Sequence, residues 1–438
     1  MGDDHLLGPI PANWEYTTLG EACRRGGGDI QTGPFGSQLH AADYVPEGIP
    51  SIMPQNIGDN RIVEEGIARI RPHDAERLCR YLVREGDIVY SRRGDVERRA
   101  LVRAHEDGWL CGTGCLRVRL GKNGVEPRYA SFYLGHPSVR EWIVRHAHGA
   151  TMANLNTAIL SACPFVVPPS REQQAIADIL GSLDDKIELN RRMNHILEAM
   201  ARAIFKAWFV DFEPIKAKVA GATSFCGMPQ EIFDQLPGGL TEFDGKLVPN
   251  GWSLKATSDI ADYVNGRAFT KNATGYGRMV IRIAELNSGP GSATKYSQVN
   301  TEPQYTAFPD DILFAWSGSL GVYRWHRDEA IINQHIFKVI PNDRPSWYVY
   351  YRLVEAMPFF QAIASTKATT MGHIKRGHLS DAMFVEPPGW FIDAASKQIR
   401  PLYDLIHCNE RQSITLSALR DALLPKLISG EICVSGGE

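Results

Sequence analysis

Two stretches of the chain carry apolar residues at helical spacing for much longer than an ordinary helix. Between about Arg171 and Trp208, Ile176, Leu180, Leu183, Ile187, Leu197, Ile204 and Trp208 recur at three- and four-residue steps. Asn190 and Asn194 fill the two steps missing from the middle of that stripe. A helix of about 38 residues would be ~57 Å long, against a mean of about 11–12 residues. A second stripe, from roughly Ile392 to Ile428, holds Ile399, Leu402, Ile406, Leu416, Leu419, Leu423 and Leu427. Pro401 lies near its start, and Pro425 should kink or end it. Two such stripes predict an antiparallel helix pair. The alternative is that each helix packs on its own domain.

Each stripe follows a double proline, in "FVVPPSREQQAIADIL" (165–180) and "FVEPPGWFIDAASKQI" (384–399). The prolines force extended backbone just before the helix. Ser170 is placed to cap the first helix, with Gln173 three residues on as in a capping box. Gly389 and Pro401 predict a more ragged start for the second.

The junctions belong to a longer repeat. "IPANW" (10–14) is echoed by "VPNGW" (248–252), and "EGDIVYSRRG" (85–94) by "PDDILFAWSG" (309–318). "GCLRVRL" (114–120) resembles "QHIFKVI" (334–340). "GATMANLNTAILSACPFVVPP" (149–169) matches "KATTMGHIKRGHLSDAMFVEPP" (367–388), with Thr151-Met152 over Thr370-Met371. The order is the same in both halves, so the repeat is a whole domain rather than a solenoid unit. Each copy mixes strand and turn signals with one helical stretch, 127–144 in the first and 346–364 in the second. Each reads as a mixed α+β domain. The Gly-, Pro- and acid-rich stretch from Glu213 to Leu247 reads as a linker with little regular structure.

Composition narrows the function. In 438 residues the hydrophobic share is 44%, the charged share 22% and the net charge −3, which fits a folded chain that does not advertise nucleic acid as a whole. The eight Cys are scattered without a Cys-x-x-Cys pair, which suits reduced thiols in a cytoplasmic protein. The N-terminus lacks the apolar core of a signal peptide, and no run is long enough to span a membrane.

Catalytic signatures are missing. "FDGKL" (243–247) is no P-loop, because Leu240 and Leu247 stand where Gly and Ser/Thr are needed. There is no G-x-S-x-G, no H-E-x-x-H and no Asn/Asp-Pro-Pro-aromatic tetrapeptide. His146, His148, His373 and His378 match no metal spacing, and Cys111 and Cys115 sit in an apolar stretch that reads as core.

Charge is nevertheless local. Residues 90–104 hold five Arg against two acids, and residues 263–301 hold five Lys/Arg against Glu285 alone. "STKATTMGHIKRGH" (365–378) holds Lys367, Lys375 and Arg376 and no acid. Cations among Ser, Thr, Asn and Gln suit phosphate contact with base reading beside it; a solvated loop face is the bland alternative.

On these residues the chain resembles the specificity subunits of type I restriction–modification systems. The resemblance rests on "TGPFGSQL" (32–39), "GIPSIMPQNI" (48–57), "EGDIVYSRRG" (85–94), the long segment 168–218 with its "AWFVDF" end, "VPNGW" (248–252) and "LRDALLPKLISGEI" (419–432). The second copy departs from it, with "VNGRAFTKN" (264–272) where "GPFGS" would stand.

The resemblance implies an α+β fold: two tandem mixed α/β target-recognition domains, separated by two long helices packed as an antiparallel coiled coil. The expected divisions are 1–168 and 248–388 for the recognition domains, 169–212 and 389–438 for the helices, and 213–247 for the linker. It implies a non-catalytic subunit whose domains each read half of a bipartite site in double-stranded DNA. It implies two methyltransferase subunits that use S-adenosylmethionine, and restriction translocase/nuclease subunits that use ATP and Mg. No cofactor is expected on this chain.

The expected DNA contacts are Gln38, Asn56, Arg92, Arg93, Asn154 and Asn156 in the first domain. In the second they are Arg267, Lys271, Ser317, Lys367, Thr369, Thr370, Lys375 and Arg376. Ile204, Trp208 and Phe209 are the expected partner contacts, with burial inside the chain as the alternative. Rival readings are a non-DNA coiled-coil scaffold, or the target-recognition part of a restriction or methylation enzyme.

Overall fold

A computed structural model describes residues 6–35, 38–122, 124–147, 153–243, 245–365 and 372–434. The chain forms two compact units, Met1–Lys186 with Leu416–Glu438, and Ile187–Thr415.

In the first unit a four-stranded antiparallel sheet runs Asp29–Thr32, Cys115–Arg119, Ile88–Ser91, Arg99–Leu101. Every residue of Ile88–Ser91 is buried, the polar Ser91 included, so this inner strand is covered on both faces and shows no alternation of burial. A second sheet orders Tyr44–Val45, Ala68–Ile70, Ile49–Ile52 and Leu110–Cys111, and its last pairing is parallel. Glu15–Thr18 pairs with Pro164–Val167, drawing the two ends of the domain together just before Pro168-Pro169.

The second unit repeats this plan. One sheet runs Ala261–Asn265, Ile336–Pro341, Ile312–Ala315, Gly321–Arg324. The other runs Lys295–Ser297, Arg278–Ile281, Ala330–Ile332, Thr306–Ala307, again with one parallel pairing, between Arg278–Ile281 and Ala330–Ile332. Ser253–Ala256 pairs with Met383–Glu386 before the second double proline. The strand ladders correct one echo by a residue. Ser91 faces Cys115 and Ala315 faces Ile336, so Cys115 corresponds to Ile336 and Gly114 to His335. A one-residue slip would turn every inward side chain outward, so pairing fixes the register more firmly than sequence likeness does.

Both long helices are 40 residues, Ser170–Phe209 and Gly389–Ile428. The ragged second start is therefore corrected: that helix begins directly after Pro388, as the first does after Pro169. Pro401 is exposed, so the carbonyl it leaves unpaired can turn to water, and Pro425 stands in the last turn, where little ladder remains to break. Gln173 does not close a capping box. Its amide nitrogen donates to Pro168 O (2.7 Å) and its oxygen accepts from Glu126 N (2.9 Å), tying the helix start to the domain.

Within each unit the two helices run antiparallel. Arg420 meets Asp184 in the first; Asn190 meets Ser413, and Asn194 meets Asn409, in the second. Ile176, Leu180, Leu424 and Leu427 join the core of the first α+β domain. Ala201, Phe205, Trp208 and Phe209 join that of the second, with Phe391, Trp347 and Tyr348.

The stretch 213–247 is more regular than its composition predicts. It holds helices Glu213–Val219 and Gln230–Gln235 and the hairpin of Leu240–Phe243 with Lys246–Pro249. Met228, Ile232, Phe233 and Leu236 bury enough apolar surface to order it. The helical stretch of the first domain is two helices, Pro127–Tyr133 and Pro137–His146, where the second domain has one, Ser346–Ser365. Among the described residues no helix is long and apolar enough to cross a membrane.

Candidate nucleic-acid interface

The basic loops meet at one point in each domain, built the same way twice. In the first domain Arg93 forms a bridge with Asn154, Gly94 N donates to Ala153 O (3.2 Å), and Leu155 N to Arg92 O (2.8 Å). In the second, Ser317 bridges His373, Gly318 N donates to Gly372 O (2.9 Å), and Ile374 N to Trp316 O (3.0 Å). The third strand end also matches. Gly33 N donates to Cys115 O (3.0 Å), and Gly266 N to Ile336 O (2.9 Å). A Cβ on Gly33 would run into Gly112 O, and one on Gly266 into Asn333 O, so both positions require glycine. Three loops from distant parts of the sequence are thus pinned together.

Exposed cations surround the junction. Arg93 is exposed, as are Arg267, Lys271, Lys375 and Arg376. The Arg267 guanidinium lies 4.2 Å above the Tyr305 ring, and Arg376 Nη2 donates to Tyr263 O (2.7 Å), so both are held in place rather than loose. Phe35, 60% exposed, stands on the loop after Asp29–Thr32. Trp316 Nε1 donates to Asn265 Oδ1 (2.8 Å), and its ring stacks on Phe337.

Other expected contacts have different work. Asn56 is fully buried: its oxygen accepts from Met53 N (3.1 Å) and its nitrogen donates to Val63 O (3.0 Å), so its amide stitches a turn and reads no base. Asn156 caps helix Thr157–Ala162 by accepting from Ile159 N (2.8 Å). Gln38 is half-buried, with its oxygen taken by Tyr81 Oη (2.9 Å) and Phe35 N (3.2 Å), so it shapes the loop. Ser317 is buried, and it is the neighbouring Trp316 and Gly318 whose backbone groups complete the junction. Arg92 and Asn154 are half-buried, with Arg92 Nε and Asn154 Oδ1 unpartnered among the described residues. Lys367, Thr369 and Thr370 lie outside the described residues.

The aromatic end of the first helix is likewise corrected. Trp208 and Phe209 are buried, with Phe209 5.2 Å from the Phe391 ring and 5.6 Å from Tyr348; Ile204 is half-buried at the edge of that cluster. Burial of these rings fastens the helices to the second domain and leaves none of them as a partner surface. Besides Ile179 nearer its start, the large apolar side chains this helix exposes are Leu189, Ile196 and Met200, with half-buried Met193 between them. Their steps of four, three and four residues make a seam-like stripe.

Among the described residues no group of three or more His, Cys, Asp or Glu is placed to hold a metal ion. Cys23, Cys111 and Cys163 are buried thiols, and burial pushes them up to about 12, well away from reactive thiolates.

Comparison with known families settles the lineage. A family model described as the type I restriction modification DNA specificity domain matches residues 11–199 and again 249–384. The chain belongs to that family. The two matched segments are the two copies of the repeat. The chain is 25% identical over 437 residues to the type I restriction enzyme HindI specificity subunit of Haemophilus influenzae, covering 87% of this chain and 95% of that protein. It is 24% identical over 447 residues to the MjaIX specificity subunit of Methanocaldococcus jannaschii, covering 98% and 95%. In fold it resembles the crystal structure of a type I restriction–modification S subunit from M. genitalium, with a TM-score of 0.52, 15% identity and 96% of each chain covered.

Sequence reasoning missed Trp316, Gln334 and His335 in this family member. Trp316 stands over Arg92 in the second echo, and the third echo sets Gly114 over Gln334 where strand pairing sets it over His335.

Proposed function

We propose that this chain is the DNA-recognition subunit of a type I restriction–modification complex, with each domain reading one half of a bipartite site. The observation that carries this is the junction built twice, with exposed Arg93 at the first copy and exposed Arg267, Lys271, Lys375 and Arg376 around the second. Cations on such loops anchor phosphates, and the side chains between them reach base edges.

The antiparallel helices set the spacing between half-sites. The apolar stripe Leu189, Met193, Ile196 and Met200 offers a helix-sized contact for a methyltransferase subunit. This chain supplies recognition and no chemistry. S-adenosylmethionine belongs to two methyltransferase partners, and ATP with Mg to the restriction subunits. The setting is the cytoplasm, where unpaired thiols such as the exposed Cys79, Cys226 and Cys408 persist.

Sequencing methylated bases in the source genome, with and without this gene, tests the reading. The expected result is a bipartite motif that disappears on deletion; a motif that survives refutes it. Inserting seven residues into each long helix in register should lengthen the spacer by about three base pairs, since each residue adds ~1.5 Å. An unchanged spacer would remove the helices as the ruler. A DNA-independent scaffold would instead show no mobility shift with or without methyltransferase subunits.

A further inference from the structure

The junctions match in backbone but differ at one turn. In the first domain the turn between Leu110–Cys111 and Cys115–Arg119 is Gly112-Thr113-Gly114. In the second, between Ala330–Ile332 and Ile336–Pro341, it is Asn333-Gln334-His335. The scaffold around both is the same. Gly112 N donates to Ile52 O (2.9 Å) and Asn333 N to Ile281 O (3.1 Å). Arg92 N donates to Gly114 O (2.8 Å) and Trp316 N to His335 O (3.1 Å). Gly114 has a φ of 84° and His335 a φ of 73°. The second domain therefore keeps an imidazole at a left-handed backbone position that the first fills with glycine. A β-carbon there is a standing cost, and such costs gather at functional sites.

The side chains of this turn are also short of partners. Gln334 is exposed, with no side-chain hydrogen bond to the described residues. Asn333, 7% exposed, has an unpartnered Oδ1, and His335 an unpartnered Nδ1. Buried polar atoms without partners are rare, and a ligand is one way they are completed. The His335 ring lies 5.0 Å from Trp316, and exposed Arg267 forms a backbone bridge with Asn333 of the same turn. In the first domain Thr113 is instead spent inside the fold, its Oγ1 donating to Pro34 O (3.1 Å).

We infer that Asn333-Gln334-His335 is a base-reading turn that takes the major-groove edge of purines in the second domain's half-site. A glutamine amide matches the N7 acceptor and N6 donor of adenine, and an imidazole N–H matches a purine N7. Lys375 and Arg267 hold the phosphates beside it. The turn has no counterpart reader in the first domain, whose half-site is read by other loops. This rests on the DNA-recognition reading above.

The test uses the complex reconstituted with its methyltransferase subunits, on a DNA library randomised in both half-sites. Variants Gln334→Ala and His335→Gly are compared with the wild type. His335→Gly installs the residue that the first domain already uses at this point, so the fold should survive; Gln334→Ala changes only an exposed side chain. Each variant should lose about tenfold discrimination at one or two adjacent positions of one half-site, with the other half-site and the spacer unchanged. An unchanged preference at every position overturns the inference. So does a uniform loss of affinity without a change in preference, which marks a phosphate contact. A wild-type complex that selects no bipartite site fails at the earlier step, and so separates failure of the DNA-recognition reading from failure of the turn.

Discussion

Asn194 and Asn409 sit opposite each other in the seam of the helix pair, 8% and 6% exposed. Asn409 Nδ2 donates to Asn194 Oδ1 (2.9 Å), and Asn194 Nδ2 donates to Glu410 Oε1 (2.8 Å). Asn194→Leu would strand the Asn409 amide in an apolar seam, at a cost of about 1–3 kcal/mol. Glu410 is half-buried, so water can replace its lost donor. The leucine returns about 1–2 kcal/mol of burial, leaving the single variant near neutral to about 2 kcal/mol worse. Asn409→Leu strands Asn194 Oδ1 in the same way.

In the double variant both orphans vanish while both leucines remain. It should match or exceed the wild type in stability, with a coupling free energy of about 2–3 kcal/mol. Hydrogen exchange at the amides of residues 190–200 in all four proteins measures this, because it reports local opening without a two-state assumption for the whole chain. Additive single effects, with a coupling below about 0.5 kcal/mol, would refute the reasoning. A leucine seam also no longer penalises a slipped pairing, so the double variant should tolerate a wider range of spacers.

Three further outcomes follow from particular contacts. Arg420 Nη1 donates to Asp184 (2.6 Å) and Nη2 to Asp59 (3.1 Å), with the Arg420 and Asp184 side chains 13% and 10% exposed; Arg420→Met should cost about 3 kcal/mol in urea unfolding. Adding Asp184→Leu should recover most of that, and no recovery would mean the charge is not what matters. His326 and His407 share a hydrogen between Nδ1 atoms 2.9 Å apart, and burial, with Arg324 and His407 adding to it, pushes His326 down to about 3. The unfolded chain then takes the proton first, so stability is full above the ordinary histidine value of about 6.5 and falls as pH drops toward 3. The loss by pH 5 should be about 2 kcal/mol, and His326→Gln should flatten the melting-temperature profile over that range. Lys375→Ala should reduce the salt slope of DNA binding by about 0.9, and an unchanged slope would remove Lys375 from the phosphate contacts.

Much of this architecture is legible in the residues. The double prolines mark both helix starts to within a residue, because proline stiffens the chain locally and needs no tertiary help. Asn190 and Asn194 stand out as breaks in an apolar stripe, and they are the polar layer of the helix pair. The site was less legible. Arg93, Arg267, Lys271, Lys375 and Arg376 are exposed as their charge suggests, whereas Asn56, Asn156 and Ser317 have the right chemistry but are spent on a turn, a cap and the junction backbone. An amide's composition does not tell whether its hydrogen bonds go inward or outward.

The sequence by itself determined the duplication, the two long helices and the clustering of positive charge, since each is a periodic or local property of the chain. Only the tertiary structure decided which loops meet, that Gly114 answers to His335, and that Trp208 and Phe209 are core rather than surface. Those outcomes depend on strand register and on contacts between residues far apart in the chain. Register is set by how whole faces pack, and no short stretch of sequence contains that information.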